Sequence, residues 1–176
     1  MIRKAVKEDL PGVVKIYDAI LEREEQGLLS IGWARGVYPT METAKTALAD
    51  GSLFVSEEDG KIVASARIDR KQVPVYADCR WEFKAPDDQV MVMHTLVVDP
   101  EGPRRGYGKQ FVLFYETYAR QHGCRFLRID TNEKNAVARA MYGKLGYREA
   151  GIVPCIFNGI PDVRLVCLEK KLQDAD

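Results

Sequence analysis

The sequence is poor in the groups that hold metals or crosslink chains. Its 176 residues contain two histidines, His94 and His122, and four cysteines, Cys79, Cys124, Cys155 and Cys167, none in a Cys-x-x-Cys pair. Scattered thiols argue against a disulfide framework and against a zinc site, and they point to a reducing, cytoplasmic setting. Two distant histidines are too few for a metal cluster. There is no excess of charge, because 26 Lys and Arg balance 26 Asp and Glu. That removes the electrostatic case for nucleic acid or an anionic membrane as the main partner. Long apolar runs are absent as well: Val90 to Val98 is broken by His94 and Thr95 and is far too short for a membrane span. Met1-Ile2-Arg3-Lys4 has no apolar run behind it, which reads against a signal peptide. With no repeat, low-complexity segment or internal linker, residues 1–176 are expected to form a single domain.

What remains is an ordinary globular composition, 46% hydrophobic and 30% charged. Ile2 to Val6 reads as a strand. Asp9 is expected to cap a helix with Pro11 in its first turn and an apolar stripe of Val13, Val14, Ile16, Tyr17 and Ile20. After a loop carrying Trp33 and Tyr38, Thr40 caps a second helix that stops near Asp50-Gly51. Leu53 to Ser56 and Ile62 to Ile68 alternate as a hairpin around Glu58-Asp59-Gly60. Lys71 to Asp88, with two prolines, reads as an insert or an irregular strand extension. Val90 to Val98 is apolar enough for a central strand covered on both faces. A helix over Gly108 to His122, a strand over Phe126 to Ile129 and a short helix over Asn135 to Leu145 follow. Tyr147 to Phe157 and Val163 to Leu168 close the chain as a hairpin across Asn158-Gly159. The order predicts an α/β (α+β) fold, a mixed sheet of six or seven strands with helices on both faces.

The most informative segment joins the apolar strand to the helix after it: Val97-Val98-Asp99-Pro100-Glu101-Gly102-Pro103-Arg104-Arg105-Gly106-Tyr107-Gly108-Lys109. Such a turn aims unpaired N–H groups and the positive end of a helix dipole at one point. Gly106 and Gly108 let an anion approach the main chain, and Arg104, Arg105 and Lys109 add charge around it. A pyrophosphate fits. A P-loop does not, because Gln110 follows Lys109 where Ser or Thr would bind magnesium; a dinucleotide fingerprint does not, because Phe111 occupies its third glycine position. A plain strand-to-helix turn with surface arginines is the structural alternative.

This segment resembles the coenzyme A-binding motif Gln/Arg-x-x-Gly-x-Gly/Ala of the GNAT (GCN5-related) N-acetyltransferases. Arg105-Gly106-Tyr107-Gly108 matches, and Pro103 departs from the motif's first position. Asn135, Ala138, Tyr142, Gly146 and Tyr147 are similar to the family's second motif, in the right order and at the right spacing. Asn135 and Tyr142, seven residues and about two helical turns apart, would lie on one side of their helix. The resemblance covers Val90 to Tyr147. It implies acetyl-CoA as cofactor, with Arg104, Arg105, Gly106, Tyr107, Gly108, Lys109 and Asn135 around it. It also implies a splayed strand whose backbone at Leu96, Val97 and Val98 meets the pantetheine arm.

Acetyl transfer to an amine requires a proton acceptor, a donor to the carbonyl oxygen and a proton for the leaving thiolate. Tyr142 matches the family's general acid, and an N–H near Leu96 would serve the carbonyl. For the base, His94 lies two residues before Leu96 on one strand, so both should face the same side. An imidazole titrates near neutrality, but a histidine in an apolar strand also serves as a sheet residue. Glu82 is a weaker candidate, and a water relay is a third. Trp33, Tyr38, Tyr76, Trp81 and Phe83 could line the acceptor pocket or pack. The expected function is acetyl transfer to a primary amine of a small molecule or amino acid. Transfer to a protein lysine or N-terminus, a non-catalytic coenzyme A-binding module, and a homodimer all stay open.

Overall fold

A computed structural model describes residues 1–102 and 105–173. Seven strands form one mixed sheet: β1 (Ile2–Lys4), β2 (Leu53–Glu58), β3 (Lys61–Asp69), β4 (Val90–Val98), β5 (Phe126–Asn132), β6 (Arg148–Phe157) and β7 (Ile160–Lys171). Their spatial order is β1-β2-β3-β4-β5-β7-β6. All pairs are antiparallel except β4 and β5. That parallel pair needs a crossover, supplied by α3 (Tyr107–Gln121). The remaining helices are α1 (Leu10–Glu25), α2 (Met41–Ala49) and α4 (Ala136–Lys144).

The two hairpin turns follow their chemistry. Asp59-Gly60 and Asn158-Gly159 each carry two consecutive positive φ values, 50° and 74° in the first, 51° and 78° in the second. Paired positive φ is what a two-residue turn needs to match strand twist, and Asx-Gly supplies it. Helices cover both faces, as expected from the order of elements. Phe111, Val112 and Tyr115 of α3 pack with Tyr142 and with Met91, Met93, Leu127 and Ile129 on one face. Val13, Ile16 and Tyr17 of α1 and Ala44 and Ala47 of α2 pack with Leu53, Val55 and Val97 on the other.

Two local expectations are corrected. Asp9 does not cap α1: its carboxylate turns back to accept from the Val6 N–H at 2.8 Å and from Arg3 at 2.7 Å, closing a 3-10 turn over Lys7–Asp9 instead. A nearby guanidinium is a stronger partner than a helix N–H. Residues 70 to 89 add no strand; they hold two 3-10 turns, Pro74–Asp78 and Asp87–Gln89. This insert is pinned from below. Glu169 accepts from the N–H groups of Glu82 and Phe83 at 2.9 and 3.2 Å. The Arg128 guanidinium lies 4.1 Å from the centre of the Trp81 ring.

Candidate active site

The site begins where β4 and β5 part. Their pairing runs from Val90 opposite Phe126 to Met93 opposite Ile129 and stops there, although both strands continue. The cause lies in β4. Thr95 has φ 52°, and the register with β3 jumps from His94 opposite Arg67 to Val97 opposite Ser65. The extra residue is a β-bulge, which bends its strand away from a neighbour. Thr95 and Leu96 therefore stand outside both ladders.

The bulge also overturns the expected shared face of His94 and Leu96. Before it, even-numbered residues Val90 and Val92 face the insert; after it, Leu96 and Val98 pack with α3 and α4, while Val97 packs under α1 and α2. One inserted residue switches the parity of everything beyond it. The His94 Nε2 instead lies 3.1 Å from the Lys71 carbonyl oxygen and 3.4 Å from Asp69 Oδ1.

On the α3 side, Gly106 is the N-cap residue with φ 72°, a conformation that disfavours any side chain, and no side chain caps the helix. In this, α3 differs from α2 and α4, which Thr40 and Asn135 cap. The first-turn N–H groups of Tyr107, Gly108 and Lys109 thus point outward without an intrahelical acceptor. A β-carbon at Gly106 would meet nothing within 4 Å among the described residues, which leave the approach to the helix start open. At Gly108 it would lie 3.2 Å from Met141 Sδ and 3.6 Å from Val98 Cγ2. Gly108 lets α3, α4 and the end of β4 close together; the open approach belongs to Gly106. These features fit a pyrophosphate held by backbone.

The side chains around this turn behave differently from one another. Arg104 lies outside the described residues. Glu58 accepts from Arg105 at 2.8 Å and from the Tyr107 hydroxyl, so Tyr107 is turned into the protein and only its N–H faces the turn. Lys109 is exposed, with no ion pair among the described residues. Asn135 Oδ1 accepts from the Ala138 N–H at 3.1 Å, which makes its amide the cap of α4. Tyr142 is buried on the same face as α3, and its hydroxyl has no hydrogen-bond partner among the described residues. Burial, with a smaller push from the Asp130 carboxyl, raises its pKa above the ordinary tyrosine value, so it is a protonated donor at neutral pH.

On the opposite face lies a cleft of about 280 Å³. Tyr38, His94, Thr95, Arg67, Asp130 and Phe157 are among its lining residues. The Tyr38 hydroxyl bonds Thr95 at the bulge, and Trp33 meets Tyr38 edge-on at 5.7 Å. Asp130, which sequence reasoning missed, is the first residue of β5 past the point of parting. The buried Tyr76 donates to its Oδ2 at 2.7 Å. Burial pushes the Asp130 pKa up, and His94 and the Tyr76 hydroxyl pull it partly back. Two of the proposed lining residues, Trp81 and Phe83, and the weaker base candidate Glu82 sit elsewhere. Glu82 pairs with Arg148 at 3.0 Å, Trp81 lies on Arg128, and Phe83 lies 6.1 Å from Phe126. All three belong to the far end of the sheet, at the start of β5.

The mixed sheet, its central strands parted, thus carries an uncapped helix start on one face and a charged cleft on the other. The model of the Acetyltransferase (GNAT) family matches residues 16–147, and the chain belongs to that family. It is 26% identical over 153 residues to the uncharacterized N-acetyltransferase MJ1207 of Methanocaldococcus jannaschii, covering 86% of this chain and 62% of that protein. The chain thus spans less than two thirds of that relative's length. Its fold is that of a GNAT-family acetyltransferase from Streptococcus agalactiae, with a TM-score of 0.80 at 22% identity over 99% of this chain and 96% of the other. The fold is shared also with yncA of Salmonella typhimurium, solved with its cofactor acetyl-CoA, at a TM-score of 0.71 and 16% identity over 100% and 95% of the chains. Among the described residues, no helix is long and apolar enough to cross a membrane.

Proposed function

We propose that this protein is an acetyl-CoA-dependent N-acetyltransferase acting on a primary amine of a small molecule. The observation that carries the reading is the gap between β4 and β5, with Tyr142 on one face of it and Asp130 on the other. Bound acetyl-CoA supplies an activated acetyl thioester. The first-turn N–H groups of α3 hold its pyrophosphate, and the backbone of Leu96, Val97 and Val98 lies along the open edge of β4 toward the gap. Leu96 has no directly opposite residue in the register of either neighbour, and its N–H is the donor we assign to the thioester carbonyl oxygen.

Asp130, rather than His94, takes the proton from the acceptor's ammonium. It faces the cleft, has no cation bonded to it among the described residues, and its pKa is raised by burial, which makes it the better proton acceptor. His94 is tied to the Lys71 carbonyl. The amine nitrogen would form its bond to the acetyl carbon as the carbon–sulfur bond breaks; the Tyr142 hydroxyl would give its proton to the leaving sulfur, and the second proton shed by the acylated nitrogen would restore Tyr142. A small-molecule acceptor suits a cleft of about 280 Å³ better than a protein chain does.

The test is a panel of primary amines with acetyl-CoA, following free thiol release and the N-acetylated product together. Equimolar thiol and product, both lost in Asp130→Asn, are expected. Thiol release that no amine accelerates contradicts the reading and leaves a coenzyme A-binding module.

A further inference from the structure

The charges around the cleft do more than admit an amine; they select against one class of amine. Two cations face it, Arg67 and Lys71, and each is already matched. Arg67 donates to Asp69 at 2.6 Å and to Asp50 at 2.9 Å; Lys71 donates to the same Asp50 oxygen at 2.8 Å. His94 stands against Asp69 as well. Burial works against the charge of Asp69, but its bonds to His94 and Arg67 hold its pKa down to about 2, so it remains an anion. Two cations and two anions thus cancel on the α2 and β3 side. Asp130 is left over. Its one hydrogen bond among the described side chains comes from the neutral Tyr76 hydroxyl. The rest of the lining sets the apolar Ala47, Leu53, Val73 and Phe157 beside the polar Thr43, Gln72 and Asn158.

We infer that the acceptor is a small monoamine with no acid group, its ammonium seated on Asp130. An ammonium entering this cleft meets Asp130, a carboxyl that no Lys or Arg pairs among the described residues. A carboxylate on the same molecule would have to displace Asp50 or Asp69 from Arg67 and Lys71, leaving a half-buried acid without its partner. Breaking such a pair by competition costs more than the new contact returns. The site therefore favours the decarboxylated member of any amine and amino-acid pair.

This inference rests on the acetyltransferase reading only for the word acceptor, and its test separates the two. The protein saturated with coenzyme A is titrated calorimetrically with matched pairs: phenethylamine against phenylalanine, tyramine against tyrosine, isoamylamine against leucine. In each pair the amine is expected to bind at least about tenfold more tightly, and in Asp130→Asn the preference is expected to disappear. Equal or tighter binding of the amino acids overturns the inference. So does binding of no amine in the panel, or a preference that survives in Asp130→Asn. Free thiol release from acetyl-CoA, measured in parallel, reports on the acetyltransferase reading by itself: amines that bind by this pattern without releasing thiol would remove the reaction and leave the selectivity standing.

Discussion

Tyr142 and His94 show how much a single side chain's surroundings decide. Tyr142 is buried, yet its hydroxyl bonds nothing among the described residues, so deleting it removes no structural hydrogen bond. Tyr142→Phe is expected to unfold at nearly the wild-type denaturant midpoint, within about 1 kcal/mol. Its kcat should fall roughly 100-fold, the lower end for general-acid assistance, because a thiolate leaves tolerably well unassisted. Acetyl-CoA affinity should hardly change. A kcat within about threefold of wild type would make Tyr142 a packing residue. His94 is the opposite case. Its ring bonds a backbone carbonyl and neighbours Asp69, which is a structural engagement. In His94→Gln the acidic limb of the pH–rate profile is expected to persist, since Asp130 remains; disappearance of that limb would return the base to His94.

At the scale of elements, the site depends on how the strand pair and the insert meet. The insert of residues 70 to 89 brings Tyr76 to Asp130 across 54 positions of sequence. The titratable groups facing Asp130 include Tyr76 from the insert, His94 from β4, Tyr38 and Tyr142 from the loop and α4, and Cys155 and Cys167 from β6 and β7. The Tyr76 hydroxyl stabilises the carboxylate form, so removing it favours the protonated form. Activity that needs the carboxylate should then fail at a higher pH. In Tyr76→Phe the acidic limb is expected to move upward in pH, while amine KM rises more than acetyl-CoA KM. A limb that stays in place would mean that Tyr76 only packs.

This is also where sequence reading succeeds and fails. The turn at Arg105 to Lys109, the hairpin glycines and the Asn135 to Tyr147 segment were legible because each meaning is local: a positive φ, a helix start, a fixed helical spacing. Asp130 was not, because its place in the cleft comes from a parted strand and its hydrogen bond from a tyrosine distant in sequence. The face of Leu96 was misread for a related reason. Strict alternation holds only without a bulge, and nothing in His94-Thr95-Leu96 announces the extra residue. Asp9 was assigned to the nearest helix start when Arg3, six residues back, held a stronger claim.

For the molecule as a whole, both faces of the sheet converge on one gap: α3 and α4 bring the uncapped turn and Tyr142, and α1, α2 and the insert bring the cleft. The central claim is that this gap holds acetyl-CoA through the uncapped start of α3. Thermal unfolding with and without ligand tests it most directly, using wild type beside Gly106→Val. The valine places a side chain in the open approach and in a backbone conformation that disfavours it. Acetyl-CoA at 100 times its dissociation constant is expected to stabilise the wild-type protein by about 2.7 kcal/mol, with NAD contributing far less and the variant losing most of the gain. Equal stabilisation by NAD, or an undiminished acetyl-CoA effect in Gly106→Val, would contradict it.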